Sequence, residues 1–131
     1  MSTPLWKKLG IKAGLEVILH NEPSDYSELM DGRLKECKIL NSEAVGDADF
    51  IHLFAINFQD LVINFEPLKA RLKMNGMFWI SWPKKSSELS SDLDKKILME
   101  YGLSNGLVDV KVASYNDDWS SLKFVYRLKD R

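Results

Sequence analysis

Two runs of apolar residues constrain the fold of this chain more than any other feature of its sequence. Residues 49–55 (DFIHLFA) and 77–82 (MFWISW) are apolar at nearly every position, which is typical of strands covered on both faces, as in a parallel sheet. Between the runs, apolar residues recur at spacings of three and four over residues 58–72, the period of a helix with one buried face. Strand, helix and strand in this order predict a right-handed crossover unit.

The segments on either side extend this unit into a larger sheet. The predicted strands are residues 15–20, 35–40, 49–55, 77–82, 107–114 and 122–128. The first two predicted helices are one turn over 4–9 and a short helix over 24–30. A third helix begins at Phe58, is kinked or divided by Pro67, and ends at Asn75 and Gly76. A fourth helix is capped by Ser91. The last two strands are expected to pair as an antiparallel hairpin. This order predicts one α/β domain over residues 1–131, a Rossmann-like three-layer fold whose mostly parallel sheet ends in a hairpin.

Composition bounds the partners and the compartment. The chain has 131 residues with 18 basic and 19 acidic side chains, a formal net charge of −1, so it has no overall positive field with which to attract a nucleic acid. Its single cysteine excludes an internal disulfide, and its two histidines lie too far apart for a metal-binding motif. No apolar run has the length of a signal peptide or a membrane span. We therefore expect a cytoplasmic protein without a membrane or nucleic-acid partner, and the sequence leaves the cofactor and the oligomeric state open.

Two motifs resemble those of a known family. Residues 79–86 (WISWPKKS) and 106–112 (GLVDVKV) are similar to signatures of a bacterial family of small proteins of unknown function. Residues 3–5 (TPL), 8–12 (KLGIK) and 119–125 (WSSLKFV) fit the same family. The resemblance covers nearly the whole chain and implies a small bacterial protein, but it implies no activity.

The predicted order of elements also resembles the later half of class I S-adenosylmethionine-dependent methyltransferases, which end in such a hairpin. That resemblance implies a glycine-rich loop after the first strand and an acidic residue at the end of the second strand, where each binds the cofactor. Here residues 20–25 (HNEPSD) contain no glycine, and Glu43 comes a little after the second predicted strand. A strand-and-helix unit is also expected to be missing, so the resemblance implies a truncated version of this fold.

A loop after the second apolar run is the most distinctive candidate site. Trp82, Lys84, Lys85 and Ser86 stand at the carboxyl end of a predicted buried strand, and ligands of open α/β sheets bind beyond such ends. Ammonium groups, hydroxyls and free loop amides suit a small anionic ligand. The alternative is a solvated loop with exposed lysines. His20, at the end of the first predicted strand, is assigned to the same ligand site.

Three single residues have two interpretations each. Trp119 follows a turn-rich segment, and either folds back as a lid on the core or stacks on a ligand or a partner. His52 lies inside an apolar run, which favours a hydrogen-bonded core histidine over a catalytic base. Cys37 is interpreted as a small buried side chain in preference to a nucleophile.

Four charged residues lie on the two strands of the predicted hairpin. Asp109 and Lys111 are two residues apart and are expected to share one face of a strand, as are Lys123 and Arg127 on its partner. They form either a ladder of opposite charges on an exposed face or a polar floor beneath a ligand. Lys123 is included among the candidate ligand-binding residues.

Three functions remain open on this evidence. The first is a non-catalytic protein that binds a small ligand or an anion on a degenerate methyltransferase-like fold. The second is a small transferase with an atypical cofactor loop. The third is a protein interaction module that presents Trp119 and the loop of Lys84 and Lys85 to a partner. The first is favoured because no catalytic grouping can be assembled from the spacing of the residues.

Overall fold

The computed structural model describes residues 3–40, 46–87 and 91–130. Its strands are β1 (Glu16–His20), β2 (Lys38–Leu40), β3 (Ala48–Phe54), β4 (Leu72–Pro83), β5 (Leu107–Ser114) and β6 (Trp119–Tyr126). They form one sheet in the order β2-β1-β3-β4-β6-β5, in which β1 to β4 are parallel and β6 is antiparallel to both β4 and β5. The predicted α/β fold, with a mostly parallel sheet that ends in an antiparallel hairpin, is confirmed.

Helices cover both faces of the sheet. The α-helices are α1 (Leu5–Leu9), α2 (Tyr26–Leu29), α3 (Phe58–Lys69) and α4 (Lys95–Ser104), and 3-10 turns occupy Arg33–Glu36 and Leu128–Asp130. Side chains of α1, α2 and the first 3-10 turn pack on one face, and side chains of α3 and α4 pack on the other. Among the described residues, no helix combines the length and the apolar composition needed to cross a membrane.

The sheet separates two apolar cores. Phe65, Phe78 and Phe124 are fully buried in the core beneath α3 and α4, where the rings of Phe65 and Phe78 stack with centroids 5.4 Å apart. Trp79 lies in the opposite core and donates its indole N–H to the carbonyl of Leu9, at a distance of 2.8 Å. The two faces of β4 are therefore both covered, as the apolar run 77–82 predicts.

Two predicted helix boundaries are wrong. Asp94, and not Ser91, caps α4, because the Asp94 carboxylate accepts the backbone N–H of Ile97. The hydroxyl of Ser91 instead accepts the N–H of Leu93 within the loop that precedes the helix. Pro67 lies in the last turn of α3, and the helix continues through it to Lys69, so the helix is not divided.

Three predicted strands also have different limits. Gly76 does not end a helix, because β4 already begins at Leu72 and contains an irregularity opposite β3. A Cβ at Gly76 would lie 3.1 Å from the carbonyl oxygens of Ala48 and Asp49, so the close approach of two backbones requires glycine there. The predicted strand 35–40 is reduced to β2, since its first residues form the 3-10 turn. The final strand begins at Trp119 and not at residue 122.

Candidate functional site

The order of the strands locates the candidate site at one edge of the sheet. β2 lies on one side of β1 and β3 on the other, so the order of the strands reverses at β1. Ligands of open α/β sheets bind where the strand order reverses, beyond the carboxyl ends of the strands. β1 ends at His20, and the chain leaves it through Asn21, whose φ of 59° lies in the left-handed region that asparagine tolerates. The β5–β6 hairpin turn lies at the same edge, because Trp119 pairs with Pro83.

Aromatic rings fill this edge on the α2 side. Tyr115, which follows β5, stacks on Tyr26 of α2 with ring centroids 5.8 Å apart and meets Phe54 edge-on at 5.1 Å. Trp119 packs edge-on against Phe54 at 5.2 Å and is itself half-buried. Tyr26, Phe54 and Tyr115 are all less than 5% exposed, at 2%, 1% and 4%. Trp119 therefore packs on the core, as its interpretation as a lid expects, and its contact with a ligand or a partner stays a prediction.

A chain of hydrogen bonds runs beneath these rings. The hydroxyl of Tyr26 lies 2.8 Å from Nδ1 of His52, and Nε2 of His52 lies 2.6 Å from Oγ of Ser81. Ser81 in turn bonds to Ser121, so the chain crosses β3, β4 and β6. His52 is fully buried, and this burial lowers its pKa from 6.5 to about 3. The interpretation of His52 as a hydrogen-bonded core residue is confirmed.

Ser81 and His52 have the separation of a nucleophile and its base, with Tyr26 as a third, orienting group. Both Ser81 and His52 are 0% exposed, so a substrate cannot reach the Ser81 hydroxyl in this structure. The contact joins residues 29 positions apart on different strands, and no local sequence pattern indicates it. In this structure the group is a buried hydrogen-bond network of the core.

The loop after β4 begins in an ordered turn. The N–H of Lys84 donates to the carbonyl of Asp118 at 2.8 Å, and the N–H of Ser87 donates to the carbonyl of Lys84 at 2.9 Å. The Lys84 ammonium donates to the hydroxyl of Ser114 at 2.7 Å, while Lys85 and Ser86 are exposed. Residues 88–90, which continue the loop, lie outside the described residues.

The structure does not bring all the predicted ligand-binding residues together. Lys84, Lys85, Ser86 and the hairpin end at Trp119 share one part of the edge. Trp82 is only 6% exposed and belongs to the core beneath α3 and α4, so it offers little surface to a ligand, and its assignment to the ligand site stays a prediction.

His20 and Lys123 stand at other points of the sheet, at the end of β1 and in the middle of β6. By strand alternation His20 shares the face of Ile18, which is opposite to that of Tyr26. Lys123 pairs with Trp79 in the middle of the sheet, away from the strand ends.

The predicted charge ladder on the hairpin does not form. An irregularity between Asp109 and Lys111 places Asp109 opposite Phe124 and Lys111 opposite Lys123. The side chains of Asp109 and Lys111 therefore face opposite sides of the sheet. Burial lowers the pKa of Lys123, and the positive charge of Lys111 lowers it further. The Lys111 ammonium donates to the carbonyl of Lys8 at the end of α1, at a distance of 2.9 Å.

The amides at the start of α3 have partners within the chain. A helix N-terminus at the carboxyl end of a strand is a common anion site. Here carboxylate or amide oxygens accept three backbone N–H groups: Ile56 to Asp60, Phe58 to Asp92, and Asp60 to Asn57. The two carboxylates add negative charge, so this helix start does not attract an anion.

A cleft opens beside this edge, between the end of β1 and α2. It has a volume of about 310 Å³ and is lined by the apolar groups of Leu19, Pro23 and Leu34 together with Glu22 and Tyr26. In the described part of the chain no group of three His, Cys, Asp or Glu residues could hold a metal ion. Glu43, the acidic residue expected near the end of β2, lies outside the described residues.

Cys37 lies away from this edge, just before β2. Its thiol donates to the carbonyl of Lys12 at a distance of 3.3 Å. Burial raises the pKa of the thiol, which disfavours the thiolate needed by a nucleophile.

Comparison with known proteins identifies the fold. No family model and no curated protein sequence matches the chain. Among solved structures, the tRNA methyltransferase TrmK of B. subtilis superposes with a TM-score of 0.60 and 9% identity over 99% of this chain and 68% of its own.

Two other solved structures superpose equally well. A SAM-dependent methyltransferase of Aquifex aeolicus gives a TM-score of 0.62 and 15% identity, over 92% of this chain and 86% of its own. The magnesium protoporphyrin IX methyltransferase of Synechocystis gives a TM-score of 0.59 and 7% identity, over 94% of this chain and 74% of its own. The chain therefore has the fold of SAM-dependent methyltransferases.

Proposed function

We propose that this chain is a non-catalytic binding domain on a methyltransferase-like fold, and that it binds a small anion at Lys84, Lys85 and Ser86. One observation carries the non-catalytic part. At the strand ends where ligands of such folds bind, the rings of Tyr26, Phe54 and Tyr115 pack together and are almost wholly buried. A substrate that bound where these rings pack would have to displace them.

The charges at the edge favour the loop over the helix start as the anion site. Asp60 and Asp92 occupy amides at the start of α3 and would repel an anion there. The Lys84 ammonium, in contrast, is held by the Ser114 hydroxyl beside the hairpin, and Lys85 and Ser86 are exposed next to it. A cation held in place by one neutral partner retains most of its capacity to bind an anion.

Titration calorimetry with inorganic phosphate tests the anion site. We expect saturable heat that weakens as ionic strength rises and that disappears in Lys84→Ala/Lys85→Ala. The matched control is Lys35→Ala/Lys38→Ala, which removes two exposed lysines near β2 and makes the same change in net charge. Phosphate binding that is absent in the wild type, or equal in both double variants, would contradict the assignment.

A transferase that uses an atypical cofactor loop is the second candidate. It is favoured by the cleft of about 310 Å³ beside the end of β1, which has room for part of a cofactor. The three methyltransferases with which the chain superposes also support it, although only through their fold. Titration with S-adenosylmethionine decides between the two: saturable binding that Glu22→Gln weakens supports the transferase, and no binding supports the non-catalytic domain.

Three further inferences accompany the proposal as predictions. They are membership of the small bacterial family that shares the motifs at 79–86 and 106–112, a cytoplasmic location, and a protein partner that contacts Trp119 beside the lysine loop. The last is the least favoured, because the Trp119 ring already packs against Phe54. A pull-down that Trp119→Ala leaves unchanged would count against it.

A further inference from the structure

A cleft between α3 and α4 is separate from the lysine loop and from the cleft beside β1. It lies on the face of the sheet opposite to α2 and has a volume of about 340 Å³. Its lining residues are Phe58, Ile97, Glu100, Tyr101, Ser104 and Asn105. Small-molecule sites occupy about 300–1,000 Å³, so this cleft has room for a small ligand.

Two aromatic rings line this cleft. The rings of Phe58 and Tyr101 meet edge-on, with centroids 5.7 Å apart. Tyr101 also meets the buried ring of Phe65 edge-on at 5.1 Å, a contact that fixes its position against the core. Phe58 is 40% exposed. Its ring therefore retains surface that a ligand in the cleft can cover.

Negative charge accompanies the rings. Glu100 of α4 lines the same cleft and is exposed. Among the described residues it makes no ion pair, not even with Lys96 one helical turn earlier. The Asp92 carboxylate accepts the N–H of Phe58 at 2.8 Å, and this neutral partner leaves its charge in place. The two carboxylates favour a cation in the cleft and disfavour an anion.

The combination of rings and carboxylates selects the kind of cation. The face of an aromatic ring attracts a cation, but it is a poor substitute for the hydrogen bonds of water. A primary ammonium group is strongly hydrated and has three donors that need acceptors. A quaternary ammonium group has no N–H, and its methyl groups can contact the rings directly.

We propose that the cleft between α3 and α4 binds the quaternary ammonium group of a small molecule. The rings of Phe58 and Tyr101 contact its methyl groups, and the Glu100 carboxylate offsets its charge. The site is independent of the anion site at the lysine loop, because the two have no residue in common.

An amide NMR titration of the wild type with choline tests the proposal. We expect saturable shifts at Phe58, Glu100 and Tyr101 and none at Lys84. The matched control is 3,3-dimethylbutan-1-ol, which has the shape of choline without its charge and is expected not to bind. Ethanolamine has the charge without the methyl groups, and we expect it to bind at least about threefold more weakly than choline.

Two surface substitutions separate the contributions of ring and charge. Phe58→Leu keeps an apolar side chain without a ring and is expected to weaken choline binding about threefold or more. Glu100→Gln removes the charge and is expected to weaken it about twofold or more. The controls are Ile63→Ala, an exposed apolar position of α3 outside the cleft, and Glu28→Gln on α2, and both are expected to leave binding unchanged.

Three outcomes would overturn the proposal. They are an absence of saturable shifts with choline, equal affinity for choline and for the alcohol or ethanolamine, and equal affinity in the wild type, Phe58→Leu and Glu100→Gln. The ligand comparison uses only the wild type, so it remains decisive even if a variant does not fold. The phosphate titration reports on the lysine loop, and its result does not bear on this site.

Discussion

Mild acid is expected to destabilise the protein through His52. Because burial lowers its pKa from 6.5 to about 3, the unfolded chain binds a proton between these values that the folded chain does not. The stability that depends on neutral His52 is complete above pH 6.5 and is lost progressively as the pH falls toward 3. Each pH unit inside that window changes the free energy of unfolding by about 1.4 kcal/mol, which amounts to about 2 kcal/mol between pH 7 and pH 5.

Urea unfolding at pH 7 and pH 5, followed by tryptophan fluorescence, measures this loss. The control His20→Gln removes the other histidine, and we expect its free energy of unfolding to fall between pH 7 and pH 5 as in the wild type. In His52→Gln we expect most of this fall to disappear. Equal losses in the wild type and in His52→Gln would refute the reasoning. If His52→Gln does not fold, the NMR signals of the wild-type His52 ring serve instead, and a ring that becomes protonated between pH 7 and pH 5 would refute it equally.

Two predictions concern packing and capping. Gly102→Ala would place a Cβ 2.3 Å from Cε1 of the buried Phe124, so we expect a loss of about 1–3 kcal/mol in the free energy of unfolding; a variant as stable as the wild type would mean that the helix and the ring move apart freely. Asn57→Ala removes the side chain that accepts the N–H of Asp60. We expect it to lower the free energy of unfolding by about 1 kcal/mol, measured by thermal unfolding. An unchanged melting temperature in that variant would show that the cap is replaced by water.

The central strands and their helix were predictable because their sequence permits few alternatives. A run that is apolar on both faces has to lie inside a covered sheet, and β3 and β4 do. The start of α4 was less predictable, since Ser91 and Asp94 are both good caps by residue type. The contact of Gly102 in α4 with Phe124 of β6 depends on where the helix crosses the sheet, which is a tertiary property.

The candidate site was less predictable than the fold, because its contacts join distant parts of the chain. Tyr115 follows a strand in a turn-rich segment, and nothing nearby indicates that its ring crosses the edge to stack on Tyr26. The irregularity after Asp109 reverses the side to which Lys111 points, and a strict period of two cannot anticipate it. The position of the lysine loop at the end of β4, by contrast, followed directly from the apolar run before it.

The hydrogen-bond chain from Tyr26 through His52 and Ser81 to Ser121 has a consequence for how the molecule opens. It crosses the junction between β4 and β6, where the sheet changes from parallel to antiparallel. Each hydroxyl and ring nitrogen in this chain is buried. When one strand separates, polar groups on the adjacent strands therefore lose their hydrogen-bond partners too. We therefore expect the parallel and antiparallel parts to unfold as one cooperative unit, because detaching the hairpin takes Ser121 away from the buried hydroxyl of Ser81, which is also bonded to His52.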